Sequence, residues 1–204
     1  MQTFLPFRDF RASAETLDYR RLGKQRVEAF QLLIAIDDTW AIDERVRKGL
    51  TGPVKGWRNH PAAVMWRGYG DALRCYMNTM IQEWIKRGYN NNMAYAPVTY
   101  VPGDSFDGSA ANEEALRFEH NNWHELQKYI TVPSWLGYEP FHASHRANLL
   151  RKDAVFYGKY GWIEDPAMPY MWPLRIGVIG STTDSESVSL GSIPRSETIN
   201  SLLV

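Results

Sequence analysis

Residues 59–88, NHPAAVMWRGYGDALRCYMNTMIQEWIKRG, are the stretch whose reading decides the fold. Ala63, Trp66, Leu73, Met77, Met80, Ile81 and Trp84 recur at helical spacing and predict one long amphipathic helix with a buried stripe. Asn59 is its candidate N-cap. Pro61 suits a first turn, where its missing N–H costs nothing, and Gly88 suits the left-handed residue that ends a helix.

Working outward, residues 12–38 carry a second helical pattern through Leu17, Leu22, Val27, Phe30, Leu33 and Ile34. Ser13 is its candidate cap, and Gly23 in its middle predicts a bend or a break between two helices. A short charged helix is expected at 43–48, followed by the Gly/Pro loop GLTGPVKGW at 49–57. Residues 89–109 read as a long irregular loop, 111–129 as a third helix, and 141–153 as a fourth. An aromatic strap punctuated by Gly and Pro occupies 154–174. Strand signals are nearly absent, so the expected fold is all-α: a compact single-domain helical bundle with long loops over residues 1–175. Residues 176–204 hold seven Ser and three Thr with little periodicity and are expected to form a flexible tail.

The chain has 204 residues, 44% hydrophobic and 23% charged, the composition of an ordinary globular domain. Its single cysteine, Cys75, excludes an intrachain disulfide framework and a multi-Cys metal knuckle. No apolar run approaches the ~20 residues of a membrane span, and the first residues do not read as a signal peptide. The expected setting is therefore cytoplasmic, with no membrane partner. The 23 basic and 23 acidic residues cancel, but unevenly. Residues 1–90 carry 15 Lys and Arg against 10 Asp and Glu, whereas 91–140 carry 2 against 7. Arg146, Arg151, Lys152 and Lys159 crowd a further short stretch. A neutral total with segregated charge is compatible with one basic face, and a face steers a polyanion where a total does not.

Three groups of polar residues carry candidate chemistry. Tyr19–Glu28 places four cations, Arg20, Arg21, Lys24 and Arg26, within seven residues, with Lys24 and Glu28 at i,i+4 on a continuous helix. This is either a solvated helix face laced by one ion pair worth about 0.3–0.5 kcal/mol, or a phosphate-contacting face that holds one carboxylate ionised among cations. HASHRAN at 142–148 puts His142, Ser144, His145 and Arg146 within two turns, ahead of Arg151 and Lys152. It reads either as an anion-recognition or proton-transfer cluster or as a pair of core-bonded histidines. His120 and His124 share the i,i+4 spacing of a metal-binding pair, but no Cys or Asp is placed to complete a zinc site.

Beyond these groups, MQTFLPF, LDYRRLGKQRVEAFQLL, NHPAAVMWRGYGDAL with EWIKRGY, FHASHRANLLRKD and PYMWP together resemble the pyrimidine-dimer DNA glycosylase family of the phage endonuclease V type, and more closely its bacterial and phage relatives. The resemblance covers about residues 1–173. It implies a compact all-α protein that binds double-stranded DNA containing a damaged or modified base and extrudes that base. It further implies an α-amine that attacks C1′ to form a Schiff base, with a carboxylate on the first long helix assisting and no metal or other cofactor required. An α-amine ordinarily titrates near pH 8, so part of it is nucleophilic at neutral pH.

Two positions depart from the family pattern. The family enzyme begins with Thr after loss of Met, whereas Gln2 is large enough to retain Met1. The simplest alignment also puts Arg21 where the family has its catalytic glutamate. Met1 and Glu28 are therefore the candidate catalytic pair. Arg20, Arg21, Lys24, Gln25, Arg26, Arg67, Arg151, Lys152 and Lys159 are the candidate DNA contacts, with His60, His142, Ser144, His145 and Arg146. The expected activity is a DNA glycosylase, extending to AP lyase, on a damaged or modified pyrimidine. The alternatives are a non-catalytic DNA or modified-nucleotide binder on the same scaffold and a metal-dependent hydrolase built on His120 and His124.

Overall fold

The structure is a computed structural model, and it describes residues 2–50, 52, 57–98, 127–128, 130–173 and 179–182. Among these, seven α-helices follow in order: α1 (Phe10–Thr16), α2 (Tyr19–Ala35), α3 (Thr39–Arg47), α4 (Pro61–Trp66), α5 (Gly70–Lys86), α6 (Glu139–Lys152) and α7 (Ala154–Tyr157). A 3₁₀ turn (Gly158–Tyr160) and two short strands, β1 (Tyr170–Pro173) and β2 (Ile179–Thr182), complete the described elements. The fold is helical, as expected, with one antiparallel strand pair added: Tyr170 lies opposite Thr182 and Pro173 opposite Ile179. β2 falls within the Ser-rich 176–204 stretch, whose other residues lie outside the described residues, as does the helix expected at 111–129, except for a turn at 127–128.

Helix boundaries shift where a side chain caps better than the expected one. Asp9 caps α1 through Ala12 N at 2.7 Å, leaving Ser13 inside the helix and bonded to Phe7. The break in the first helical stretch falls at Leu17–Asp18 rather than at Gly23, because Asp18 accepts from the N–H groups of Arg20 and Arg21 and starts α2 there. Gly23 instead sits where α2 crosses α5: a Cβ built on it would approach Trp84 Cζ3 to 2.7 Å. The glycine is needed for close helix packing, not for a bend. The stretch 59–88 divides into α4 and α5, with His60 rather than Asn59 as the first cap (Ala62 N to His60 Nδ1, 3.1 Å). Gly88 does end α5 in the left-handed region, at φ +81°.

The expected stripe is in the core: Ala63, Trp66, Leu73, Met77, Met80 and Ile81 are buried, and Trp84 is partly so. On α2, Leu22 and Leu33 are buried but Val27 is exposed. α5 packs on α1 and α2, while α6 packs on β1 and α7. Helix α6 is enclosed on nearly every side, with Phe141, His142 and residues 144–150 all buried. His142, Ser144, His145 and Arg146 of this buried helix find partners inside the protein, whereas the Asn148 amide and His145 Nε2 have none among the described residues. Those partners define the site.

Candidate active site

Residues 2–7 run through the interior outside any helix or sheet, and side chains from six elements take the place of a strand partner. Thr3 Oγ1 accepts from Trp66 Nε1 of α4 at 3.0 Å, and Thr3 O accepts from the Tyr170 hydroxyl of β1 at 3.2 Å. Phe4 N donates to Gln25 Oε1 of α2 at 2.9 Å, and Phe4 O accepts from the Tyr76 hydroxyl of α5 at 3.0 Å. Leu5 is held at both ends by α6: its N–H donates to His145 Nδ1 at 2.9 Å, and its carbonyl lies 2.8 Å from His142 Nδ1. Pro6 O accepts from Arg146 Nη1 at 2.8 Å, and Phe7 N donates to Ser13 Oγ at 3.2 Å. Because both backbone groups of Phe4 and of Leu5 are satisfied by fixed side chains, the segment has one position in the core rather than a choice of registers.

This clamp gives the polar residues of α6 their role. His145 accepts at Nδ1, so its proton is on Nε2, whereas His142 accepts from Gly137 N at Nε2 (3.0 Å) and donates from Nδ1. Burial holds both imidazoles below their ordinary range, His145 well below it, so both are neutral. Ser144 bonds Phe141 O and receives Met171 N of β1. Arg146 pairs with Glu164 at 2.6 Å and also with Glu139. Burial lowers its pKa, but those two carboxylates outweigh that and raise it. His142, Ser144, His145 and Arg146 are therefore directed at the chain itself, and the core-bonded reading of the two histidines is the one their geometry fits.

At the free end of the segment, Gln2 N lies 3.4 Å from Glu28 Oε2. The same oxygen accepts from Gln25 Nε2 at 3.0 Å, and Glu28 Oε1 lies 3.4 Å from Lys24 Nζ, as the i,i+4 spacing on α2 predicts. Gln25 is fully buried and ties Phe4, Tyr76 and Glu28 together, so it links the segment to the carboxylate. Burial and the Glu28 charge keep the phenols of Tyr76 and Tyr170 un-ionised. On the segment's other flank, His60 packs edge-on against Trp172 of β1 at 5.7 Å and against Trp57 at 4.9 Å. Burial, with the positive charge at the chain's start as the smaller cause, pushes the His60 imidazole down to about 4.

The remaining candidate contacts divide by exposure. Arg20, Lys24, Lys152 and Lys159 are exposed, and Arg21, Arg67 and Arg151 are partly so. Arg21 is drawn toward the protein by Asp18 (2.5 Å) and the Tyr157 ring, and Arg67 donates to Arg58 O. Arg26 is buried, stacked over Trp84 at 4.1 Å and bonded to Asn91. A surface depression of about 330 Å³ lined by Arg11, Thr79, Gln82, Glu83, Ile85, Lys86 and Tyr95 shares no residue with this site. Among the described residues no three His, Cys, Asp or Glu side chains are grouped to hold a metal ion; His120 and His124 lie outside them. Among the same residues no helix is long and apolar enough to cross a membrane.

Residues 1–96 match the family model described as pyrimidine dimer DNA glycosylase. This match supports assigning the first 96 residues to that family. Pyrimidine dimer DNA glycosylases are DNA-repair proteins that act on DNA carrying a damaged base. The matched part contains the threaded segment, Gln25, Glu28 and His60, while α6 and β1 lie beyond it. No curated protein and no solved structure matches the chain. Sequence reading missed Tyr76, Trp66 and Tyr170 as parts of the site, because each acts through one polar atom on a ring that periodicity assigns to the core.

Proposed function

We propose that the protein is a DNA glycosylase with AP lyase activity that uses the α-amine of Met1 as nucleophile and Glu28 as the assisting carboxylate. The observation that carries this reading is the clamped segment, which ends with Gln2 N 3.4 Å from Glu28. Bond lengths alone keep the α-amine nitrogen within roughly 4 Å of Gln2 N, which supports an amine that can reach the carboxylate. An amine positioned in this way would gain the rate advantage of a positioned reactant.

In the proposed reaction the amine lone pair forms a bond to C1′ of the damaged nucleotide, and the N-glycosidic bond breaks with its electron pair leaving on the base. Opening of the sugar ring gives a protonated Schiff base between the amine and C1′. Removal of a proton from C2′ then expels the 3′ phosphate, and water hydrolyses the Schiff base to release the amine. Glu28 is the proposed group to take up the amine proton and to stabilise the cationic intermediate. Arg20, Lys24, Lys152 and Lys159 are the proposed phosphate contacts.

Borohydride added to the protein with duplexes carrying a thymine dimer or other modified pyrimidines tests this reading. A covalent protein–DNA adduct is expected, lost when the α-amine is blocked and strongly reduced in Glu28→Gln. Absence of an adduct across the panel overturns it. One observation favours a second reading, a DNA binder without chemistry: both Glu28 oxygens are already engaged, by Gln2, Gln25 and Lys24. That reading predicts salt-dependent binding with no abasic product.

A further inference from the structure

Among the described residues, two other than glycine have positive φ, Asp37 at +62° and Trp57 at +63°. Asp37 follows α2, where Asp37 N bonds Ile34 O and Asp38 N bonds Leu33 O, so a left-handed residue is what the helix end requires. Trp57 has no such reason. It opens a turn closed by His60 N on Trp57 O at 3.0 Å, and a turn of this kind constrains its two central residues, not its first. A bulky side chain at this φ is strained.

The strained residue is nevertheless held. Arg58 forks onto Asp37 with both bonds at 2.5 Å, Arg67 Nη2 donates to Arg58 O at 2.6 Å, and the indole packs against His60. The indole is also not spent on the core, since Trp57 is 51% exposed. Its place is specific. His60 caps α4, whose last residue Trp66 bonds Thr3, and His60 also meets Trp172, which packs on Tyr170, the other anchor of Thr3. An exposed aromatic ring is therefore fixed, at a cost in backbone strain, against His60, the residue that caps α4 and leads through Trp172 to the Tyr170 anchor of Thr3.

We propose that Trp57 is a substrate-contacting residue, the aromatic surface on which an unstacked base of the damaged duplex rests while its sugar is attacked. This rests on the glycosylase reading above. A base taken out of the duplex loses its stacking neighbours, and an indole restores a π-face contact that depends little on base identity. Backbone strain at an exposed aromatic residue is characteristic of positions held for a ligand.

Trp57→Gly tests it, because glycine removes the ring and relaxes the φ together, so the melting temperature should hold or rise. On a thymine-dimer duplex the rate of borohydride-trappable adduct formation should fall by about tenfold or more. On a duplex with a preformed abasic site, where no base has to be held, the loss should be at least about fivefold smaller. Trp57→Phe should recover most of the activity. The fluorescence rise of 2-aminopurine placed next to the lesion should be weaker in Trp57→Gly than in the wild type, a readout that needs no bond cleavage. Equal losses on both duplexes, or an unchanged 2-aminopurine signal, overturn the proposal. If the wild type traps neither duplex, the glycosylase reading fails, and the 2-aminopurine comparison still decides whether Trp57 holds a base.

Discussion

The two clusters of basic and polar residues that stand out in the sequence, Tyr19–Glu28 and residues 142–152, have opposite fates in the fold. On α2 the charged positions alternate between solvent and core: Lys24 is 72% exposed along its side chain, while Glu28 one turn later is 10% exposed. On α6 Lys152 is exposed and Arg151 partly so, but His142, His145 and Arg146 are buried and bond residues 5 and 6 of the same chain. A cluster of donors is thus a binding site for whatever the fold brings to it. On α6 that ligand is the protein's own first segment. On α2, by contrast, Lys24 is exposed beside the buried Glu28.

This contrast is broken most severely at Arg146. Arg146→Met leaves Glu164 buried without its guanidinium and frees Pro6 O, and breaking a buried pair in this way costs about 3–5 kcal/mol. Chemical denaturation should show the midpoint falling sharply, and borohydride trapping should fall with it as the segment loosens. A small change in stability would mean that α6 does not clamp the segment.

Acid sharpens the comparison next. His60, His142 and His145 all have folded pKa values below the unfolded value of 6.5, that of His60 at about 4. Between those limits the unfolded chain binds more protons, so stability is full above about pH 6.5 and declines as the pH falls toward 4. Protonation of His60 also removes the Nδ1 acceptor that caps α4. His60→Asn, which can cap without titrating, should lose less melting temperature over this range than the wild type; identical profiles would count against the assignment.

The smallest effect on stability belongs to the exposed face. Arg20→Ala with Lys24→Ala should change folding free energy by no more than about 0.5 kcal/mol. DNA affinity should nevertheless fall, and each lost phosphate contact should reduce the salt-dependence slope by roughly 1. Unchanged affinity and slope would remove α2 from the DNA-binding face.

The helical class, the core stripe of α5, the position of α6 and the Lys24–Glu28 pair were legible because each depends on spacing within one helix. The caps were misread where Asp9, Asp18 and His60 outcompeted a neighbour, and Gly23 was misread because its reason lies in Trp84, on another helix. The roles of His145 and Gln25 were illegible for the same cause. Leu5 and His145 are 140 positions apart, and only the folded chain shows that one is the other's partner. Trp57 lay in a Gly/Pro loop with no periodic signal, and its interest comes from a dihedral angle no sequence pattern encodes.

The claim on which the rest depends is that the clamped segment delivers the chain's α-amine to the reacting carbon beside Glu28. Peptide mapping by mass spectrometry of the borohydride-reduced adduct tests it most directly. The account predicts the sugar remnant on the α-amine of the peptide that begins at Met1. A remnant on the side chain of Lys24 or another lysine would contradict it.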